Sequence, residues 1–349
     1  MNWTVERNDL PLSTPFAIAR GTNDTSETVL VELTHEGTTG YGAVTPSPYF
    51  GETAESVAAT LPGLLETVAA IGDPHAGQRI EWRLREAAPD EPAARSAVGV
   101  AVADLATREL DVPLYRQWGL DPDRVPPTTY TVGIDPPERM AQKARAAVDA
   151  GFDRLKLKLG TDDDRVRFDA VRGAVPDAEL RVDANAAWDA EAAIEKAGWL
   201  AAGGVTMLEQ PVAADDVDGL ARVTDVTTMA VCADEACRTA TDVPRLADAC
   251  DVVNVKLTKC GGPRAARRLV HVAEAHRLAT MLGCMVESNA SLAAAVHLAP
   301  LVDYADLDGA LLLDSDPFEG VPIDGDRFAL RAVESGTGVS PAAGRENRD

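Results

Sequence analysis

From about residue 128 onward the chain repeats one pattern of apolar and polar positions. A short run of mostly apolar residues is followed by an Ala-rich amphipathic stretch, at steps of about 25 residues. The runs TYTVG (129–133), RLKLKL (154–159), LRVDAN (180–185), TMLEQP (206–211), AVCADE (230–235), VVNVK (252–256), TMLGCM (280–285) and ADLDG (305–309) read as strands. Stretches between them, such as PERMAQKARAAVDAG and GPRAARRLVHVAEAHRL, read as helices. Eight strands separated by single helices predict a βα-barrel. A doubly wound open sheet is the structural alternative, but it would bring a Gly-rich phosphate turn after its first strand, and YTVGIDPPE is not one.

Before residue 125 the pattern changes. TVLVELTHEGTTGYGAVTP reads as an antiparallel pair joined by a Gly-containing turn, and ESVAATLPGLLETVAAI and EPAARSAVGVAVADLATREL read as helices. This predicts a separate α+β domain over residues 1–125, completed by a returning tail at about 320–345, with the barrel over 126–319 and DPDRVPPTT as the linker. The polar end PAAGRENRD is expected to be disordered.

Composition narrows the chemistry. The 349 residues carry a net charge of −23, which repels nucleic acid and anionic membranes and leaves small-molecule chemistry as the expected business. Abundant Asp and Glu with scarce Lys also suit a surface adapted to high salt. Five cysteines (Cys232, Cys237, Cys250, Cys260 and Cys284) lack metal-ligand spacing, so reduced thiols and a cytoplasmic location are expected. No basic, apolar leader opens the chain, and no run of about 18 apolar residues suggests a membrane helix.

Lysine usage points to a site. Only six lysines stand against twenty-seven arginines, and four of the six form two tight pairs, Lys156 with Lys158 and Lys256 with Lys259. In a βα-barrel the chemistry sits at the carboxyl ends of the strands. There the second to sixth strands end with Lys158, Asp183, Glu209, Asp234 and Lys256, at intervals of 25, 26, 25 and 22 residues. Period-two alternation puts Lys156, Asn185 and Asn254 on the same face as these five. Three carboxylates converging in one mouth repel one another unless a cation neutralises them, and all-oxygen ligation suits Mg2+. Such an ion polarises a substrate carboxylate and favours loss of the neighbouring proton. A lysine removes that proton only when neutral, and its ordinary pKa is about 10.4. A second ammonium two residues along favours the neutral form, so Lys156 is expected to help make Lys158 a base.

The runs LKLKLG, VDANAAW, LEQP, ADEA and VNVKLTKCGG together resemble the enolase superfamily, in its muconate lactonizing subgroup, over nearly the whole chain. The resemblance implies an N-terminal α+β capping domain over a modified TIM barrel, (β/α)7β, with Mg2+ on Asp183, Glu209 and Asp234 and acid/base lysines at Lys158 and Lys256. Lys256 matches the subgroup's catalytic lysine in NxKLxKxGG, which leaves Lys259 a structural role. Within the subgroup, TPFAIARGT, PSPYFGET and ADLDGALLL resemble dipeptide epimerases of the L-Ala-D/L-Glu type. That resemblance implies that Arg20 binds an acidic substrate side chain and that Asp306 and Asp308 hold the dipeptide's ammonium. It also implies that Thr131, Lys156, Cys284 and Val286 line the substrate pocket. The chain departs from the family where Ala43 follows Gly-Tyr-Gly and where VESNAS follows the seventh strand.

The expected activity is therefore epimerisation of a dipeptide at its C-terminal residue, by a protein expected to form a homo-oligomer. The alternatives within enzymes are o-succinylbenzoate synthase, N-succinylamino acid racemase and muconate cycloisomerase. Outside them stands a metal- and carboxylate-binding barrel without turnover. Asp306 and Asp308 favour a cationic amine, and binding alone needs neither lysine.

Overall fold

Glu36 and Gly37 both take left-handed backbone, φ 47° and 88°, as a two-residue turn matched to strand twist requires. They join β2 (Gly21–His35) to β3 (Thr38–Val44), as the sequence pattern predicts. The pattern did not reveal β1 (Asn2–Ile18), which pairs antiparallel with β2. It is an edge strand in the order β1-β2-β3, interrupted by a register shift between Pro11 and Phe16, and mostly exposed, so it lacks a clean apolar alternation. Ile18 pairs with Gly21, which leaves Ala19 and Arg20 as the two-residue tip of a long hairpin.

Three helices complete this domain: α1 (Ala54–Ile71), α2 (Gly77–Ala87) and α3 (Pro92–Glu109). A capping box between Thr53 and Ser56 starts α1. Contrary to the expectation from sequence, α1 is long and apolar enough to cross a membrane by length and composition. In the fold it turns Val57, Leu61, Leu64, Leu65 and Val68 into the core shared with β2 and α3. α3 is wedged between sheet and barrel and buried along almost its whole length, which suits its small residues. Gly42 allows the close approach of β3, since a Cβ there would lie 2.4 Å from the Ala97 carbonyl oxygen.

The computed structural model describes residues 1–343, and all eight predicted runs from residue 129 onward become parallel strands. These are β4 (Tyr130–Val132), β5 (Arg154–Lys158), β6 (Glu179–Asp183), β7 (Val205–Glu209), β8 (Ala230–Ala233), β9 (Val252–Val255), β10 (Ala279–Gly283) and β11 (Tyr304–Asp306). Each pairs with the next, and a parallel bridge between Thr128 and Ala305 closes the sheet into a barrel. Every connection between neighbouring strands contains a helix, the one after β8 being only Val243–Leu246, so the arrangement is (β/α)7β. Alternation divides the strands as expected. Leu155, Leu157, Val182, Leu208 and Val253 belong to the large core under the helices. Met207, Cys232, Val252 and Met281 form a separate small cluster beneath the mouth.

The returning chain packs on the C-terminal end of α3. Asp104 accepts from Thr337 N (2.7 Å), Arg108 donates to the Val339 carbonyl, and Leu114 N donates to the Gly336 carbonyl at 2.9 Å. Pro341, in the tail expected to be disordered, pairs with Phe318 in a two-stranded ladder, while residues 344–349 of that tail lie outside the described residues.

His297 holds part of this junction. Its Nδ1 accepts from Tyr115 N at 2.9 Å and its ring stacks on Tyr115. Burial pushes the imidazole down to about 4. Below the ordinary pKa of about 6.5 the unfolded chain takes up a proton that the folded chain refuses until about 4. Folding stability therefore falls as pH drops through this window, by up to about 3 kcal/mol from this group. Urea denaturation of the protein and of His297→Gln, whose amide oxygen can accept the same N–H, is expected to show a shallower acid loss in the variant. Equal slopes between pH 6.5 and 4 would refute the assignment.

Candidate active site in the barrel mouth

The carboxyl ends of β6, β7 and β8 bring Asp183, Glu209 and Asp234 together. All three are buried, with one oxygen of each within 4.8 Å of the others. The strand order places β5 with Lys158 on one side of this triad and β9, which runs into Lys256, on the other. Lys158 Nζ donates to Asp183 Oδ2 at 2.5 Å, and Lys256 Nζ donates to Asp234 Oδ2 at 2.8 Å. Glu209 lies between, accepting from Asn254 Nδ2 at 2.6 Å and from Lys156 Nζ at 3.3 Å.

The electrostatics follow from this crowding. Burial and the neighbouring Asp183 push Glu209 up to about 7. Burial also acts to raise Asp234, but Lys256 and Lys259 outweigh it and hold that carboxyl far below the usual range. Lys259 is buried against the Asp234 side chain (2.5 Å), the Asp234 carbonyl (2.6 Å) and the Asn254 carbonyl (2.8 Å), which is a positioning arrangement. Lys256 is raised well above an ordinary lysine, because Asp234 and Glu209 outweigh its burial. Three buried oxygen donors in contact distance of one another are the set a hard divalent cation takes, and Asn185 Oδ1 and Asn254 Oδ1 remain buried beside them without a partner. The residues therefore fit Mg2+.

Lys156 sits deeper than a base would. It lies on Asp306 with Glu209 and Asp183 at 3.3 and 3.9 Å, and these carboxylates overcome its burial and keep it an ammonium. Asp306 and Asp308 both reach the mouth, although the strand ends at Asp306. Asp306 also accepts from Thr129. Burial works to raise it, yet Lys156 holds it below the ordinary range. Asp308 accepts from Thr131 N at 2.6 Å, and burial with the adjacent Asp306 pushes it up to about 6. Thr131, Cys284 and Val286 line the same pocket, with the Cys284 thiol on the Asp306 carbonyl at 3.3 Å.

The hairpin tip comes down over this pocket. Ser26 donates to the Val286 carbonyl at 2.6 Å and Ile134 N donates to the Ala17 carbonyl at 2.8 Å, fastening the hairpin to barrel loops on two sides. Arg20 enters the pocket wall as expected, but its guanidinium is already engaged. Nη1 lies 2.7 Å from Glu235 Oε1 and donates to the Asn185 carbonyl at 2.6 Å, and the Tyr49 ring lies 4.5 Å away.

Glu235 escaped the sequence reading because alternation from Asp234 assigns it to the outer face. The strand stops at Ala233, however, and the turn carries both residues into the mouth. Gln210 was also missed. Its φ is 35°, and its Oε1 accepts from Asp234 N and Ala236 N, shaping that turn. Asn185 leaves strand geometry too, at φ 47°, so that its backbone N–H binds Asp183 Oδ1 at 2.8 Å.

Comparison with known proteins agrees with this geometry. The family model for enolase C-terminal domain-like proteins matches residues 139–343, and that for the N-terminal domain of mandelate racemase / muconate lactonizing enzyme matches residues 2–119. The chain is similar to L-Ala-D/L-Glu epimerase of Bacteroides thetaiotaomicron, at 36% identity over 97% of this chain and 88% of that protein. It is equally similar to hydrophobic dipeptide epimerase of Roseobacter litoralis, at 36% identity over 93% and 94% of the two chains. The crystal structure of dipeptide epimerase from Enterococcus faecalis complexed with Mg and L-Leu-L-Tyr superposes with a TM-score of 0.89, at 34% identity, covering 97% of this chain and 98% of that one.

If the three carboxylates hold a divalent cation, Asp183→Asn, Glu209→Gln and Asp234→Asn each weaken Mg2+ binding by at least about tenfold in calorimetric titration. Unchanged affinity in all three variants would remove the triad as the metal site.

Proposed function

The chain belongs to the mandelate racemase / muconate lactonizing enzyme family of the enolase superfamily, and we propose that it is a Mg2+-dependent dipeptide epimerase inverting the C-terminal residue. The observation that carries this reading is the placement of Lys158 and Lys256 at the carboxyl ends of the two strands flanking the acidic triad, each on a carboxylate of that triad. When bound, Mg2+ supplies Lewis-acid stabilisation of the negative charge that develops on the substrate carboxylate as the α-proton leaves.

The side chains do the remaining work. Asp183, Glu209 and Asp234 would hold the cation, and its place on the triad would set where the substrate carboxylate comes to rest. Lys158 and Lys256 then address opposite faces of the adjacent carbon, one taking the proton and the other returning one. Lys156 stays charged between Glu209 and Asp306, a fixed ammonium two residues from Lys158 on the same face of β5. Asp308, with Asp306, offers carboxylate oxygens to the substrate's ammonium on the β11 side, which favours a dipeptide over an N-acylated amino acid. The cap, fastened through Ser26 and Ala17, shields the reacting carbon from bulk water.

A two-base site makes a separable prediction. Lys158→Ala and Lys256→Ala each lose epimerisation by about 10²- to 10⁴-fold. Each retains α-proton exchange, read by mass spectrometry in deuterated water, only for the stereoisomer facing its surviving lysine, with opposite preference in the two variants. Epimerisation that survives in Lys256→Ala but fails in Lys259→Ala would move the role to Lys259.

A further inference from the structure

A separate cavity of about 350 Å³ lies where the capping domain packs on the barrel, and no residue lines both it and the mouth. That volume falls in the range of small-molecule sites. Its apolar wall comes from Ile80 and Leu84 of α2 and from Val102, Ala103 and Ala106 of α3, completed by Trp118. Cys260 and Gly261 line the barrel side, at the end of the short helix Leu257–Cys260.

The charged lining is unbalanced. Arg85, Arg95, Arg264 and Arg268 face the cavity against one acid, Glu81. Glu81 is already engaged, because Arg264 Nε lies 3.4 Å from it and Arg268 donates to it. Arg95 is only 9% exposed. Its Nη1 donates to the carbonyls of Ala88 and Pro89, the latter at 2.7 Å, while its Nε and Nη2 have no hydrogen-bond or ion-pair partner among the described residues. Glu52 also acts on this charge, but its carboxylate accepts from Ala93 N and Ala94 N instead. Burial accordingly leaves the guanidinium below its ordinary range. A buried cation without a bound counter-charge is costly, so this edge calls for an anion. Nε and Nη2 together form the fork that meets both oxygens of a carboxylate in parallel. Gly261 keeps the fork uncovered, since a Cβ there would lie 3.0 Å from Nη2 and 3.1 Å from Nε.

We propose that this interdomain cavity is a binding site for a carboxylate with an apolar body, its carboxylate on the Nε–Nη2 edge of Arg95 and its body along α2 and α3. A bare inorganic anion leaves the apolar wall unfilled, and the arginines repel an amine. The site stands apart from the barrel mouth and does not depend on the epimerase reading.

The test is calorimetric titration of the full-length Mg2+-loaded protein with butanoate, hexanoate and octanoate. Saturable binding of octanoate is expected, with affinity rising about fourfold per added CH2 along the series. Octanol and octylammonium are expected to bind at least about tenfold more weakly than octanoate. Arg95→Gln is expected to weaken octanoate by at least about tenfold. Ala103→Leu fills the apolar part of the cavity and is expected to weaken it by a similar factor. Because that substitution adds methyl groups to empty space, it is expected to fold as the parent does, and it decides the matter should Arg95→Gln fail to fold. Octanoate affinity left unchanged by either folded variant places the ligand elsewhere and overturns the proposal. Acetate, inorganic phosphate or octanol binding as tightly as octanoate overturns it too, as does the absence of saturable binding.

Discussion

Everything at the mouth of this barrel answers to the repulsion among three buried carboxylates. Two unit charges about 4 Å apart repel by about 4 kcal/mol even at an effective dielectric constant near 20, and burying each charge costs several kcal/mol more. The Asp183, Glu209 and Asp234 cluster therefore cannot stand without cations around it. Burial together with the neighbouring Asp183 raises Glu209 accordingly. Four of the chain's six lysines lie within reach of these acids, which explains why a protein so short of lysine concentrates it here.

The lysines divide the task by depth and by partner. Lys259 has its ammonium bound on three sides by fixed oxygens and holds the turn that carries Asp234. Lys156 is locked on Asp306 and Glu209 and acts as permanent positive charge. Lys158 and Lys256 each make one carboxylate contact at the edge of the triad, so moving either breaks a single pairing and leaves the rest of the floor in place. The barrel makes this division possible because neighbouring strands are in register, Lys158 beside Asp183 and Asp183 beside Glu209.

The floor was legible in the sequence because strand alternation converts directly into position. Leu155 and Leu157 go under the helices, and Lys156 and Lys158 go into the mouth, as period two requires. The eight strands were legible for the same reason, being buried on both faces and bounded by helices. What escaped lies where that period breaks. β1 is an exposed edge strand with prolines, so burial imposes no alternation on it. Glu235 and Gln210 sit in turns whose backbone leaves the strand, and there the face a side chain takes is set by φ and by local hydrogen bonds instead of residue parity. The Arg20 partner could not be read at all, since residues 20 and 235 meet only through the docking of the hairpin on the barrel.

That docking separates what all substrates share from what distinguishes them. In the proposed binding mode the carboxylate, the ammonium and the reacting carbon face groups on strands or directly after them, where register leaves little freedom. In that mode the variable side chain faces the hairpin tip, the loop bearing Phe50 and the turn after β8. These segments carry few of the ladder hydrogen bonds that hold the floor, so they tolerate substitution where the strands do not. Glu235 is the exception that links the two tiers, because it follows Asp234 directly in a turn held by Gln210. Its charge faces the cap while its backbone belongs to the floor. Replacing Arg20 therefore alters the wall alone, whereas replacing Glu235 also disturbs the turn that carries Asp234 into the triad.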